Sequence, residues 1–313
     1  MKTAFIFPGQ GAQSVGMLAE ARENFPIVRQ TFDEASELLG YNLESICQNG
    51  PEEELNRTAV TQPAILTASI ALWRLWMQEN GTKPDFVAGH SLGEYSALVA
   101  GESMLFLDAL KLVSLRGELM QAAVPQGEGK MAAILGLEDD QVVAACAEAT
   151  EGDVVEAVNF NAPGQVVIAG NAKAVDRAIE ACKSRGAKRA MPLAVSVPSH
   201  CALMREAAEQ LAEEFSTVGF NDAVIPVVQN VPAAIVTSRT DIMQNLVRQL
   251  YSPVKWSASF ALLEKEGVGA AVECGPGKVL GGLAKRNAPA IKCYSLETPD
   301  GFNAALSALS KKD

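Results

Sequence analysis

The chain has 313 residues, 48% of them hydrophobic and 20% charged, enough to bury the core of one large domain plus a smaller one. A formal charge of -11 argues against duplex nucleic acid or an anionic membrane as the main partner, while an acidic protein can still dock on a local basic patch. No apolar run approaches the roughly eighteen residues that span a bilayer, and the opening MKTAFIFPGQG turns glycine-rich before a signal-peptide core forms, so a cytoplasmic protein is expected.

Residues 3–7 read as a short strand running into Pro8-Gly9-Gln10-Gly11, where two glycines flank Gln10 and let the backbone approach a ligand. The next glycine is Gly16, so the spacing misses G-x-G-x-x-G and a dinucleotide site is disfavoured. Helical periodicity covers 25–39 and 58–78, with an early turn expected at Thr61-Gln62-Pro63 and Trp73, Trp76 and Met77 as core. Lys83-Pro84-Asp85 breaks the chain before the next strand.

That strand opens the stretch on which the rest turns, FVAGHSLGEYS at 86–96. A G-x-S-x-G pentapeptide between a strand and a helix is a nucleophile elbow, a turn that lifts a serine hydroxyl, here Ser91, clear of the sheet. The following N–H, that of Leu92, lies at a helix N-terminus, where a developing oxyanion is stabilised. A further helix is expected over 106–123, with Ala109, Leu112, Val113, Arg116, Leu119 and Met120 on one face. A guanidinium in an apolar stripe is costly unless a carboxylate meets it, either an acid of the protein or a carboxylate of the substrate.

After a linker at 125–129, strand and helix patterns follow in the order βαββαβ: 130–135, 138–149, 154–160, 165–169, 172–185 and 187–193. This order is ferredoxin-like. The expected fold class is therefore α/β, a hydrolase-like large domain with a mostly parallel sheet (1–126 and 196–313) and an inserted ferredoxin-like small domain (127–195). Alternating units resume beyond it, and Gly275-Pro276-Gly277-Lys278 lacks the spacing of a nucleotide loop. Cys47, Cys146, Cys182, Cys201, Cys274 and Cys293 show no C-x-x-C spacing, which points to reduced thiols rather than zinc or disulfides.

A serine nucleophile needs a base near neutrality, and the chain has only two histidines. His90 adjoins Ser91 and points to the opposite side, which leaves His200. No Asp or Glu stands out as a third member, so a backbone carbonyl or an amide is left to orient the imidazole.

With these residues in hand, the chain resembles the malonyl-CoA:acyl carrier protein transacylases of bacterial type II fatty acid synthesis. The resemblance spans essentially the whole chain and is carried by FPGQGAQ (7–13), TQPAI (61–65), GHSLGEYSAL (89–98), the Arg116 helix, NAPGQVVIAG (161–170), VPSH (197–200), QLYSPVKW (249–256) and ECGPGKVL (273–280). It implies that Ser91 is acylated, His200 is general base and acid, Arg116 clamps the malonyl carboxylate, and the N–H groups of Gln10 and Leu92 form the oxyanion hole. It further implies that Gln249 helps position His200, that the reaction is ping-pong without a cofactor or metal, and that the partners are coenzyme A thioesters and an acidic acyl carrier protein. Lys183, Arg185, Lys188 and Arg189, or Lys285 and Arg286, are candidate receivers of the carrier. The competing readings are a serine thioesterase or hydrolase sharing the elbow, an extender acyltransferase of polyketide synthesis, and a non-catalytic acyl-binding module. A buried Arg116 disfavours the hydrolase, and the presence of both Ser91 and His200 disfavours the module.

Overall fold

Strand β1 (Lys2–Phe7) carries buried apolar side chains at four successive positions, Ala4 and Ile6 entering one core layer and Phe5 and Phe7 the other. A strand covered on both faces has this composition, and it belongs in the middle of a parallel sheet. The other strands are β2 (Phe86–Gly89), β3 (Gly129–Leu135), β4 (Val155–Ala162), β5 (Gln165–Asn171), β6 (Arg189–Pro192), β7 (Val227–Gln229), β8 (Ala234–Val236), β9 (Val268–Glu273) and β10 (Lys292–Ser295). This computed structural model describes residues 1–195 and 197–309. Ser196, where the sequence places the return to the large domain, and positions 310–313 of that domain lie outside the described residues.

The larger sheet has the order β10-β9-β1-β2-β7-β8. Its strands are parallel except β8, which pairs antiparallel with β7. The smaller sheet, β4-β5-β3-β6, is wholly antiparallel and has the ferredoxin-like order, its first strand lying between its third and fourth. Both parts of the α/β expectation are therefore met. The turn expected at Thr61-Gln62-Pro63 is not: one helix runs unbroken over Thr58–Gln78 with Pro63 inside it. Packing overrides the proline, because this helix is buried along nearly its whole length and Trp73 and Trp76 stack edge-on against Phe5 at 5.3 and 5.2 Å.

Pro63 cannot donate to the carbonyl of Ala59, and at that turn the helix Phe106–Ala123 crosses closely. A Cβ on Gly117 would stand 2.8 Å from Ala59 Cα, so only glycine permits the crossing. Its neighbour Arg116 is thereby brought to Gln62.

The small sheet uses its two faces differently. Ala132, Ile134, Val155, Val166 and Ile168 pack under the helices Asp139–Ala149 and Ala172–Ser184, while Met131, Val158, Val167 and Ala169 face the large domain and meet Cys201. Main-chain bonds from Phe160 N to Val254 O (3.0 Å) and from Val254 N to Val158 O (2.9 Å) join β4 to the large domain. A cleft is left between the second face and the ends of β1 and β2. Among the described residues no helix is long and apolar enough to cross a membrane.

Candidate active site

The elbow is fixed by backbone contact. A Cβ on Gly89 would lie 1.9 Å from the carbonyl carbon of Gly93, and one on Gly93 would lie 2.1 Å from Phe7 O, so both glycines of the pentapeptide are required by space. Between them Ser91 takes a left-handed backbone, φ 52°, which costs an L-residue roughly 1–2 kcal/mol. Side-chain amides hold it there: Ser91 N–H donates to Asn230 Oδ1 at 2.8 Å, and Gln249 Nε2 donates to Ser91 O at 2.9 Å. The N–H groups of Gly93, Glu94 and Tyr95 bond back to His90, Ser91 and Leu92 carbonyls. Of the elbow donors from Ser91 to Tyr95, that of Leu92 is left without a protein acceptor among the described residues.

The loop after β1 closes on the same point. A Cβ on Gly9 would stand 2.4 Å from His90 O, so the loop lies directly on the elbow, and the Gln10 side chain is drawn aside to Thr58 Oγ1 at 3.3 Å. Gln10 and Leu92 both line the cleft.

His200 reaches Ser91 from across the cleft, with Nε2 2.7 Å from Oγ and Nδ1 2.7 Å from the main-chain oxygen of Gln249. A carbonyl only accepts, so the proton sits on Nδ1 and Nε2 offers its lone pair to the serine hydroxyl. The orienting group is thus a backbone oxygen, one of the two options the sequence leaves open, and the Gln249 side chain is engaged elsewhere. Burial pushes the imidazole pKa down to about 3, with the nearby Arg116 charge acting in the same sense and the bond to Gln249 opposing. The ring is a neutral base, ready to accept a proton. His90 stands apart, its Nε2 2.7 Å from Asn161 Oδ1 and its ring edge-on to Trp256.

Arg116 is 1% exposed. Its Nη1 donates to Gln62 Oε1 at 2.7 Å, and its Nη2 to Gln249 Oε1 at 3.1 Å and to Ser91 Oγ at 3.4 Å. The guanidinium lies 5.8 Å from the Tyr95 ring centroid, and Nε has no partner among the described residues. No carboxylate lies within ion-pair distance of it among those residues. Burial lowers its pKa, opposed by Tyr95 and Glu94, and a guanidinium remains charged regardless. Neutral amide oxygens aim the cation without neutralising it, which leaves its charge available within 3.4 Å of the serine oxygen.

The arrangement is a serine–imidazole pair with a free oxyanion donor and an uncompensated cation, suited to acyl transfer from a substrate bearing a carboxylate. An acyl transferase domain family matches residues 4–284 of the chain. A malonyl CoA-acyl carrier protein transacylase of Salmonella typhimurium is 55% identical over 304 residues, 97% of this chain and 98% of that one. The chain belongs to the malonyl CoA-acyl carrier protein transacylase family. It is an acyltransferase. An acyl carrier protein S-malonyltransferase from Vibrio cholerae is 52% identical, with a TM-score of 0.95 over 97% of this chain and 99% of that one. A malonyl-transacylase solved with its type II polyketide synthase acyl carrier protein is 51% identical, with a TM-score of 0.97 over 98% and 100%. These names are transferase names, which disfavours the hydrolase reading.

In this family member the cleft, about 240 Å³, is walled by Met131, Val167 and Leu193 of the small sheet side and by Val279, Leu280 and Leu283 of the helix Val279–Asn287. Asn159, Asn161 and Gln165 supply polar groups to the wall. Sequence reasoning missed Gln62, which it read as part of a turn, and it assigned nothing to Asn161 or Asn230; only the quoted segments TQPAI and NAPGQVVIAG pointed toward the first two. Of the basic candidates, Lys183 pairs with Glu180 at 2.7 Å and Arg185 with Glu148. Arg286 bonds Gln165 and, at 2.9 Å, Pro163 O. Lys188, Arg189 and Lys285 are exposed and make no ion pair among the described residues. No group of three or more His, Cys, Asp or Glu suited to a metal occurs among those residues.

Proposed function

We propose that the chain transfers a malonyl group from malonyl-CoA to the phosphopantetheine thiol of an acyl carrier protein, in two steps through an ester on Ser91. The observation that carries this reading is the Ser91 Oγ to His200 Nε2 contact at 2.7 Å beside a buried Arg116 that pairs with no carboxylate among the described residues.

Ser91 Oγ attacks the thioester carbonyl while His200 Nε2 takes its proton, and the N–H groups of Gln10 and Leu92 receive the oxyanion. As the carbon–sulfur bond breaks, His200 returns the proton to the coenzyme A sulfur. The carrier thiol then enters, gives its proton to His200 and attacks the ester carbonyl, and Ser91 recovers a proton as it leaves. Gln249 orients His200 through its main-chain oxygen, and the Arg116 fork pairs with the malonyl carboxylate. An acetyl group leaves that guanidinium unpaired, so malonyl is preferred.

The reading uses no cofactor and no metal, and it places the reaction in the cytoplasm. The carrier docks on exposed basic side chains that make no ion pair among the described residues. Lys285 and Arg286 share a helix with the cleft wall, Lys188 precedes β6 and Arg189 is its first residue, whereas Lys183 and Arg185 are already paired. On this reading the chain divides into a large domain at 1–126 and 196–313 and a small one at 127–195, with the substrate bound between them. The test is radiolabelled malonyl-CoA with and without holo-carrier protein: label appearing on the carrier supports transfer, and free malonate released at the same rate without carrier overturns it.

A further inference from the structure

Behind the elbow runs a line of buried polar side chains to which the transfer reaction, as described above, gives no task. Glu94, 0% exposed, accepts hydrogen bonds from Gln229 Nε2 and from the main-chain N–H of Asn230, each at 2.8 Å. Gln229 in turn accepts from Asn245 Nδ2 at 2.8 Å. Asn230, also 0% exposed, turns its amide toward the nucleophile: Oδ1 accepts from Ser91 N–H at 2.8 Å and Nδ2 donates to Gly89 O at 2.6 Å.

A carboxylate buried this deeply is unfavourable unless its oxygens are met, and here both are met by groups that fix where Asn230 sits. The Asn230 amide then supplies one donor and one acceptor across the three residues Gly89 to Ser91. An alanine there offers neither. Freed from the amide, Ser91 N–H would be buried without an acceptor, and its left-handed φ of 52° would lose one of the two side-chain bonds that hold it. A return to negative φ swings Oγ away from His200 and reorients the Leu92 N–H.

We infer that Asn230, locked by Glu94, is a positioning residue for the transfer: it holds the strained elbow so that Ser91 Oγ faces His200 and the Leu92 N–H faces the acyl oxygen. The inference rests on Ser91 being the nucleophile. Asn230 lies in the turn after β7, away from the helix Phe106–Ala123 that carries the clamp on the substrate carboxylate, so its removal acts on the chemical step rather than on binding.

The experiment is rapid-mixing release of coenzyme A from malonyl-CoA without carrier, on wild type, Asn230→Ala and Asn230→Asp. Burst amplitude counts competent sites, and burst rate gives acylation per site. Asn230→Asp matches the amide in size, keeps an acceptor for Ser91 N–H and loses the donor to Gly89 O, so it decides alone if the alanine variant does not fold. The expected result is an amplitude near one per chain in both, a rate lower by roughly 100-fold in Asn230→Ala and roughly tenfold in Asn230→Asp, and a KM for malonyl-CoA within about threefold of wild type. Rates per competent site within about twofold of wild type, with or without lost amplitude, overturn the inference, as does a raised KM at unchanged kcat. Absence of a burst in wild type refutes the Ser91 reading itself and is thereby distinct.

Discussion

Replacing Arg116 by alanine separates recognition of the substrate from chemistry. In wild type the Nη1 and Nη2 groups are held by Gln62 and Gln249; Nη1 keeps a further hydrogen for a carboxylate, and the second hydrogen of Nη2 makes only the long 3.4 Å contact to Ser91 Oγ, which a carboxylate can replace. Breaking a buried, hydrogen-bonded ion pair by removing one partner costs about 3–5 kcal/mol. At 1.36 kcal/mol per tenfold, kcat/KM for malonyl-CoA is expected to fall by about 10²·²- to 10³·⁷-fold. Acetyl-CoA makes no such pair, and the serine–imidazole contact is held by the main-chain oxygen of Gln249 and by Asn230, neither of which the substitution removes. Its kcat/KM is expected to stay within about tenfold of wild type. The assay is transfer from malonyl-, methylmalonyl- and acetyl-CoA to holo-carrier protein on both proteins. Equal losses for malonyl and acetyl groups would refute the clamp and make Arg116 a support of Ser91 alone.

Three other outcomes follow from the same geometry. Gly89→Ala places a Cβ 1.9 Å from the Gly93 carbonyl carbon, so urea denaturation is expected to show a loss of about 3 kcal/mol or more; an unchanged midpoint contradicts the close packing of the elbow. Burial disfavours the charged imidazole, so His200, with its pKa pressed down to about 3, has already given up its proton well below the ordinary value of 6.5. His90 is lowered too, and ¹⁵N NMR should find His200 neutral from pH 8 to 5 with its Nδ1 protonated, and His90 giving up its proton below the ordinary value; a His200 titration at 6.5 contradicts this. Charge reversal at Lys285 and Arg286 is expected to raise KM for the carrier protein while leaving KM for malonyl-CoA unchanged. If reversal at Lys188 and Arg189 does so instead, the docking face is the small domain.

The sequence made the elbow, both sheets and the serine–histidine pair legible because each rests on local pattern or on scarcity. G-x-S-x-G is written in five consecutive residues, strand and helix alternate at regular spacing, and two histidines leave little choice of base. Short edge pieces escaped: β8 has three residues, β10 has four, and the helix Val279–Asn287 is disguised by Gly281 and Gly282. The turn read at Pro63 failed for a tertiary reason, since a proline that would end an exposed helix is carried by one buried on all sides. Partners of the guanidinium lie 54 and 133 positions away at Gln62 and Gln249, and the Asn230 clamp lies 139 from Ser91. An amide has no periodicity and no required spacing, so nothing in one sequence marks which of many is buried beside a cation.

The central claim is that Ser91 carries the malonyl group between two thiols. Intact-mass measurement after mixing the protein with excess malonyl-CoA and quenching in acid tests it most directly. One malonyl adduct per chain, mapped to Ser91 by fragmentation and absent in Ser91→Ala, is the predicted result. An adduct on another residue, or an unchanged yield in Ser91→Ala, would contradict the account.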